Sequence, residues 1–168
     1  MNFYDHTIAL TISLLPNEQS SCYKDVILSK LRKEYEKKAF EKIGIIDSII
    51  SIESIKHEEM MEIVPIVQFI VDTKVRLYFP KVNDTLLLPI NKILTCGIFL
   101  EIPCLRALIP TAPSNYTLEK KNNHFQYTHK STGAILKEKD ILKVIVKTIR
   151  FEKNSFHCIV NFITDSKN

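Results

Sequence analysis

The chain has 168 residues, enough for one domain or two small ones, with 45% apolar residues, 25% charged residues and a formal net charge of +4. That balance excludes a disordered or fibrous chain, and the longest apolar runs, at residues 43–50 and 63–71, fall short of the roughly 20 residues a membrane helix needs. The opening MNFYDHTIAL has no basic segment ahead of an apolar one, so no signal peptide and an intracellular site of action are expected.

Residues 6–14, HTIALTISL, alternate Ile8, Leu10, Ile12 and Leu14 against Thr7, Ala9, Thr11 and Ser13. That period of two predicts a half-buried strand. Ser20 or Ser21 can cap a helix over residues 22–40, with Asp25 in its first turn. Tyr23, Val26, Ile27, Leu31, Tyr35 and Ala39 form one stripe of that helix, suited to packing on a sheet, and the acids interspersed with its lysines argue against a groove-binding helix. Gly44 opens a loosely alternating apolar stretch at residues 45–55. The KHEE run at 56–59 is expected as a solvated hairpin tip. His57 beside two acids is not an acid–base site, because adjacent side chains do not converge.

Ile63-Val64-Pro65 resumes the apolar pattern, and residues 69–79 read as a long strand with Val71, Thr73, Val75 and Leu77 on one face. The first half thus reads β-α-β-β-β. Pro80 cannot donate to a ladder and marks a domain boundary. Three short strands follow, at residues 85–95, 98–102 and 105–109, separated by turns at Cys96-Gly97 and Pro103-Cys104. Residues 111–139 form an insertion, in which Phe125 and Tyr127 share a face of an extra hairpin turning at Thr132-Gly133. Residues 141–150 and 156–164 are the last two strands, joined by the polar loop 152–155. Five short strands with an insertion between the third and fourth is the plan of an oligonucleotide-binding (OB) barrel.

Charge divides unevenly between the halves. Residues 1–80 hold 10 Lys and Arg against 12 Asp and Glu, a net of −2, and residues 81–168 hold 13 against 7, a net of +6. An excess of cations on the barrel suits a polyanionic partner, while the other half suits protein. Cys22, Cys96, Cys104 and Cys158 stand far apart without paired ligand spacing, so no metal is expected. With no Gly-rich phosphate loop, nucleophile elbow, HExxH or carboxylate cluster, no enzyme and no cofactor are expected.

Gly97-Ile98-Phe99-Leu100 followed by residues 105–110 resembles the S1 version of the OB barrel. The order of the whole chain resembles the RNA polymerase stalk family, the seventh-subunit type together with its archaeal counterpart. The stretches that carry the likeness are the strand ending Leu14-Leu15-Pro16, the helix over 26–40, the strand after Lys42-Ile43-Gly44, and Val75-Arg76-Leu77-Tyr78-Phe79-Pro80. Val82-Asn83-Asp84 departs from the family's glycine-containing turn, and Asn tolerates left-handed backbone there.

The resemblance implies an α+β, mostly β chain: a ribonucleoprotein-like tip domain at 1–80 and an S1/OB five-stranded barrel at 81–168. It implies a non-catalytic subunit of a nuclear DNA-directed RNA polymerase, polymerase III type ahead of polymerase II type. The tip would dock on the polymerase core, the two domains would bind a small helical stalk partner, and the barrel would hold emerging single-stranded RNA weakly and support transcription initiation. Phe99 is carried over as a base-stacking residue. Lys92, Arg106, Lys143 and Lys147 are strand-borne cations, the last two sharing a face by their even spacing, and Phe125, Tyr127 and His124 are hairpin contacts. A viral polymerase subunit of the same plan, in virion or cytoplasm, and a free-standing S1-type RNA-binding or translation protein remain the alternatives.

Overall fold

The structure, a computed structural model, describes residues 3–15, 18, 23–60, 66–110, 115–121 and 124–163, with backbone alone at 57–60, 121 and 124. It is α+β and mostly β, with one helix among the described residues. Its contacts divide it between Phe79 and Pro80 into two units.

The first unit holds β1 (Tyr4–Leu14), α1 (Tyr23–Tyr35), β2 (Lys38–Phe40), β3 (Gly44–Met60) and β4 (Val67–Tyr78). The strands form one antiparallel sheet in the order β1-β4-β3-β2. Ile27 and Leu31 of α1 press onto Leu10, Ile12 and Leu14 of β1 and Val71, Val75 and Leu77 of β4. The apolar face of β1 is therefore consumed by the helix, and it offers no docking surface to a partner. The sheet's other face carries Asp5, Thr7, Ala9 and Thr11 beside Arg76 and Lys74, all exposed.

Two expectations need correcting here. The helix stops at Tyr35, because Lys37 takes a left-handed φ of 58° and its N–H donates to the Ile46 carbonyl at 2.7 Å, turning residues 38–40 into β2. The KHEE run is not a loop, since β3 continues through it to Met60. Ile63-Val64-Pro65 and the Ser20/Ser21 cap lie outside the described residues.

The length of β3 has a chemical origin in its repeat Ile46-Asp47-Ser48, Ile49-Ile50-Ser51, Ile52-Glu53-Ser54, Ile55. Residues three apart on a regular strand point to opposite faces. Register shifts within each triplet, between Ile46 and Ser48, Ile49 and Ser51, and Ile52 and Ser54, each add one residue. The added residues restore the phase. Ile46, Ile49, Ile52 and Ile55 then meet Leu77, Val75, Thr73 and Val71 on the core side, while the serines meet Arg76, Lys74 and Asp72 on the other. Glu36 at the end of α1 accepts the Ile49 N–H at 2.7 Å, pinning one of these bulges.

In the second unit β5 (Thr85–Leu94), β6 (Gly97–Ile102), β7 (Leu105–Ile109), β11 (Ile141–Glu152) and β12 (Ser155–Phe162) close a circuit in the order β11-β12-β7-β6-β5, with β11 pairing back to β5. The pairing of β12 with β7 is parallel, and the others are antiparallel. Leu86, Leu88, Ile90, Ile98, Leu100, Leu105, Ile109, Val144, Val146, Phe156 and Val160 are buried in this unit. Gly97 is required where β6 begins, because at φ 142° a Cβ would lie 2.1 Å from the Ile109 carbonyl oxygen. Asn83 takes φ 71° in the turn before β5, where its N–H donates to the Val146 carbonyl at 2.8 Å. Lys153 and Asn154, both at positive φ, make the tight β11–β12 turn.

The insertion is larger than one hairpin. β8 (Tyr116–Lys121), β9 (His124–His129) and β10 (Ile135–Leu136) form a three-stranded sheet, with the Thr132-Gly133 turn closed by the His129 N–H donating to the Ala134 carbonyl at 2.7 Å.

Ile49→Ala, at a core side chain only 4% exposed, should destabilise the first unit by about 2 to 5 kcal/mol. Ile50→Ala, at a side chain 39% exposed, should cost less than about 1 kcal/mol. Urea denaturation of both variants checks the difference.

Candidate functional site

Two bulges decide what the barrel shows on its outside. In β5 the register shifts between Ile90 and Lys92, so Asn91 is extra and Lys92, instead of pointing inward, stands outside beside Phe99. In β11 it shifts between Val146 and Thr148, so Lys147 is extra. On a regular strand without that register shift, Thr148 and Arg150 would share the inward parity of Val144 and Val146. With it, they face out opposite Ile159 and His157.

The outward side chains form two rows across the strands. One runs Lys92, Phe99, Leu108, Ile159 and Thr148, and the other Glu101, Arg106, His157 and Arg150. All of them except Lys92 line an open cleft of about 670 Å³, with Phe99, Leu108 and Ile159 as its apolar floor and Arg106, Arg150 and His157 along one side. Ile159 is 45% exposed, a large apolar side chain left uncovered in the middle of a strand.

Glu101 organises the charged row. Its carboxylate accepts the Arg106 Nε–H at 2.8 Å and also the side-chain amide of Asn91, the extra residue of β5. Both ion-pair partners are solvent-exposed, so the pair adds little stability, but it orients the guanidinium along the cleft. Arg150 is held more loosely, 3.7 Å from Glu152. The arrangement offers flat apolar contact with forked hydrogen-bond donors beside it, which suits stacking of a planar group and pairing with an anion.

Phe99, Arg106 and Lys92 stand together on this face. Phe125 is half-buried on β9, with the Lys120 ammonium 5.9 Å from its ring centroid, and it lines a second cleft with Lys92. Three expected residues are corrected. Tyr127 is only 2% exposed and burial raises its phenol above the ordinary range, so its ring is core to the insertion and cannot stack on a base. Lys143 faces out opposite Leu87 and does not line the cleft. Lys147 is exposed as the bulge's extra residue and does not line it either. The side chain of His124 lies outside the described ones.

Leu108, Ile159, His157, Thr148 and Arg150 were not among the expected residues. Alternation in LRALI and FHCIVNFIT already sets Leu108 and Ile159 out of phase with their buried neighbours, a signal that was available. Thr148 and Arg150 had none, because the bulge that reverses their parity leaves no mark in composition. Among the described residues no group of three or more His, Cys, Asp or Glu stands at metal-binding spacing, and no helix is long and apolar enough to cross a membrane. No family model and no curated protein matches the chain.

Burial pushes the Cys158 thiol, beneath the cleft, from the usual 9.0 up to about 11. Its neutral form is favoured in the folded state, so its contribution to stability is intact below pH 9 and is lost as pH rises toward 11. Cys96 is exposed. At pH 8 a water-soluble thiol reagent should label Cys96 in the folded protein and Cys158 only after unfolding; peptide mapping of the labelled chain reads both.

Proposed function

We propose that this chain is a non-catalytic subunit of a DNA-directed RNA polymerase, a stalk component whose barrel binds emerging single-stranded RNA weakly and without sequence preference. The observation that carries the reading is the strand circuit β5-β6-β7-β12-β11, with a Phe99–Leu108–Ile159 row on its outer surface in which Ile159 is exposed and Phe99 and Leu108 are half-buried. Numbered within the barrel, that order is 1-2-3-5-4, and in OB-type barrels the face of the second and third strands is the one that meets oligonucleotides. β6 and β7 hold those positions and bear Phe99, Arg106 and Leu108. Finer assignment as an S1 barrel behind a ribonucleoprotein-like tip domain rests on the Gly97-Ile98-Phe99 stretch and on the order of the two units.

Bases stack on the apolar row, and the arginines follow the phosphates. Because every base has a π-face and every nucleotide a phosphate, such a site tolerates sequence and weakens with salt. The first unit provides attachment to the polymerase core, and both units bind a small helical partner. With β1's apolar side under α1, that attachment uses the polar sheet face, the sheet edges or the helix exterior.

Phe99→Ala should weaken binding of a labelled single-stranded RNA about 5- to 100-fold, the loss of one stacked base. Replacing both Arg106 and Arg150 with Ala should flatten the dependence of log affinity on log salt by about 0.7 for each phosphate that is no longer neutralised, whereas Lys147→Ala should change it little. Fluorescence anisotropy at several salt concentrations measures all three. Affinity purification of the tagged chain from its native cell should recover large polymerase subunits with a small helical partner. Recovery of ribosomes or RNA alone overturns the polymerase assignment in favour of a free-standing RNA-binding protein.

A further inference from the structure

We infer that the insertion supplies a second base-stacking subsite for the same nucleic-acid strand, so that one ligand runs from the barrel cleft past Lys92 into the groove between β5 and the β9–β10 hairpin. The inference rests on the reading of the barrel cleft as a single-strand site. Its own basis is the second groove, a cleft of about 480 Å³ lined by Lys92, Phe125, Ile135 and Lys137, among others.

Lys92 stands between the two places. It is the cross-strand neighbour of Phe99, and it lines the groove that holds Phe125. From Ile159 through Leu108 and Phe99 to Lys92 the path crosses three strand intervals, about 14 Å at the ordinary spacing. It then continues onto the hairpin without leaving the unit. Phe125 is half-buried, with its ring toward the groove, and Ile135 is 37% exposed beside it. Lys92 and Lys137, both exposed, line that groove together with Glu138, and the exposed Lys120 holds its ammonium 5.9 Å from the ring centroid.

Charge complementarity selects a polyanion. Continuity with the first cleft selects the same strand, not a separate ligand. An aromatic ring with cations beside it repeats the chemistry of the Phe99 row, and two such platforms joined by an intervening lysine behave as linked sites, in which the second contact is made at high effective concentration.

The test compares labelled oligouridine RNA of about 4 nucleotides, the short end of what one barrel occupies, and of about 12 nucleotides, against the full chain by anisotropy. The longer RNA should gain affinity well beyond the statistical increase in binding positions. Phe125→Ala and Lys137→Glu should each remove at least about five-fold of that gain, and Phe99→Ala should weaken both lengths. Lys137 is exposed, so its variant reports even if Phe125→Ala disturbs the hairpin. If the long RNA binds Phe125→Ala and Lys137→Glu as it binds the unaltered chain, while Phe99→Ala still weakens it, the second subsite is overturned and the barrel reading stands. If neither RNA binds the unaltered chain, the barrel reading falls and takes the second subsite with it. Displacement of the long RNA by polyglutamate as effectively as by unlabelled RNA also overturns the inference, because stacking then contributes nothing.

Discussion

A β-strand presents its side chains to two faces in strict alternation, so a single extra residue exchanges the faces of everything beyond it. The outer surface of this barrel depends on two such residues. Asn91 lets Lys92 stand outside while Ile90 and Ile93 both remain buried. Lys147 brings Thr148 and Arg150 outside after Val144 and Val146 have gone in. Bulges also increase local twist and curvature, which a five-stranded sheet needs in order to close on itself. The same bulges that help the barrel close therefore decide which side chains face its cleft.

Glu101 ties the bulge to the site. Its carboxylate holds Asn91 on one side and Arg106 on the other, so the kink of β5 and the direction of a cleft guanidinium are set by one acid. The cost is electrostatic, since a carboxylate within the charged row reduces the attraction for phosphate. A cleft built this way offers more apolar contact and fixed geometry than net charge. The remainder of the +6 on this half of the chain contributes long-range attraction that salt screens.

The first unit applies the same device to a different end. The Ile-x-Ser repeat of β3 would scatter its isoleucines over both faces of a regular strand, and repeated bulges gather them onto the side α1 covers. What is left outside is a polar face of Thr, Ser and paired charges, including Asp72, whose carboxyl is held below its usual range first by the Ser54 hydroxyl and then by Lys56. That face offers hydrogen-bonding groups to solvent, while the apolar side of β1 is already covered by α1.

The sequence by itself determined the strands whose pattern is regular: β1, β4, β6, β7 and the turns at Gly97, Asn83 and Lys153-Asn154, since period-two alternation and left-handed turn residues are local properties. It also placed Phe99 and Arg106 on strands where alternation puts them opposite buried neighbours. The end of α1 and the short β2 were not legible, because Lys37 and Ala39 are acceptable helix residues and only the bond from Lys37 to the Ile46 carbonyl turns the chain away. Tyr127 and Phe125 are two residues apart and equivalent in pattern, yet one is buried and the other remains half-exposed beside the cleft. Above all, the parity of Lys92, Thr148 and Arg150 was decided by pairing. A bulge is chosen by what the neighbouring strands can bury together, and no residue announces it alone.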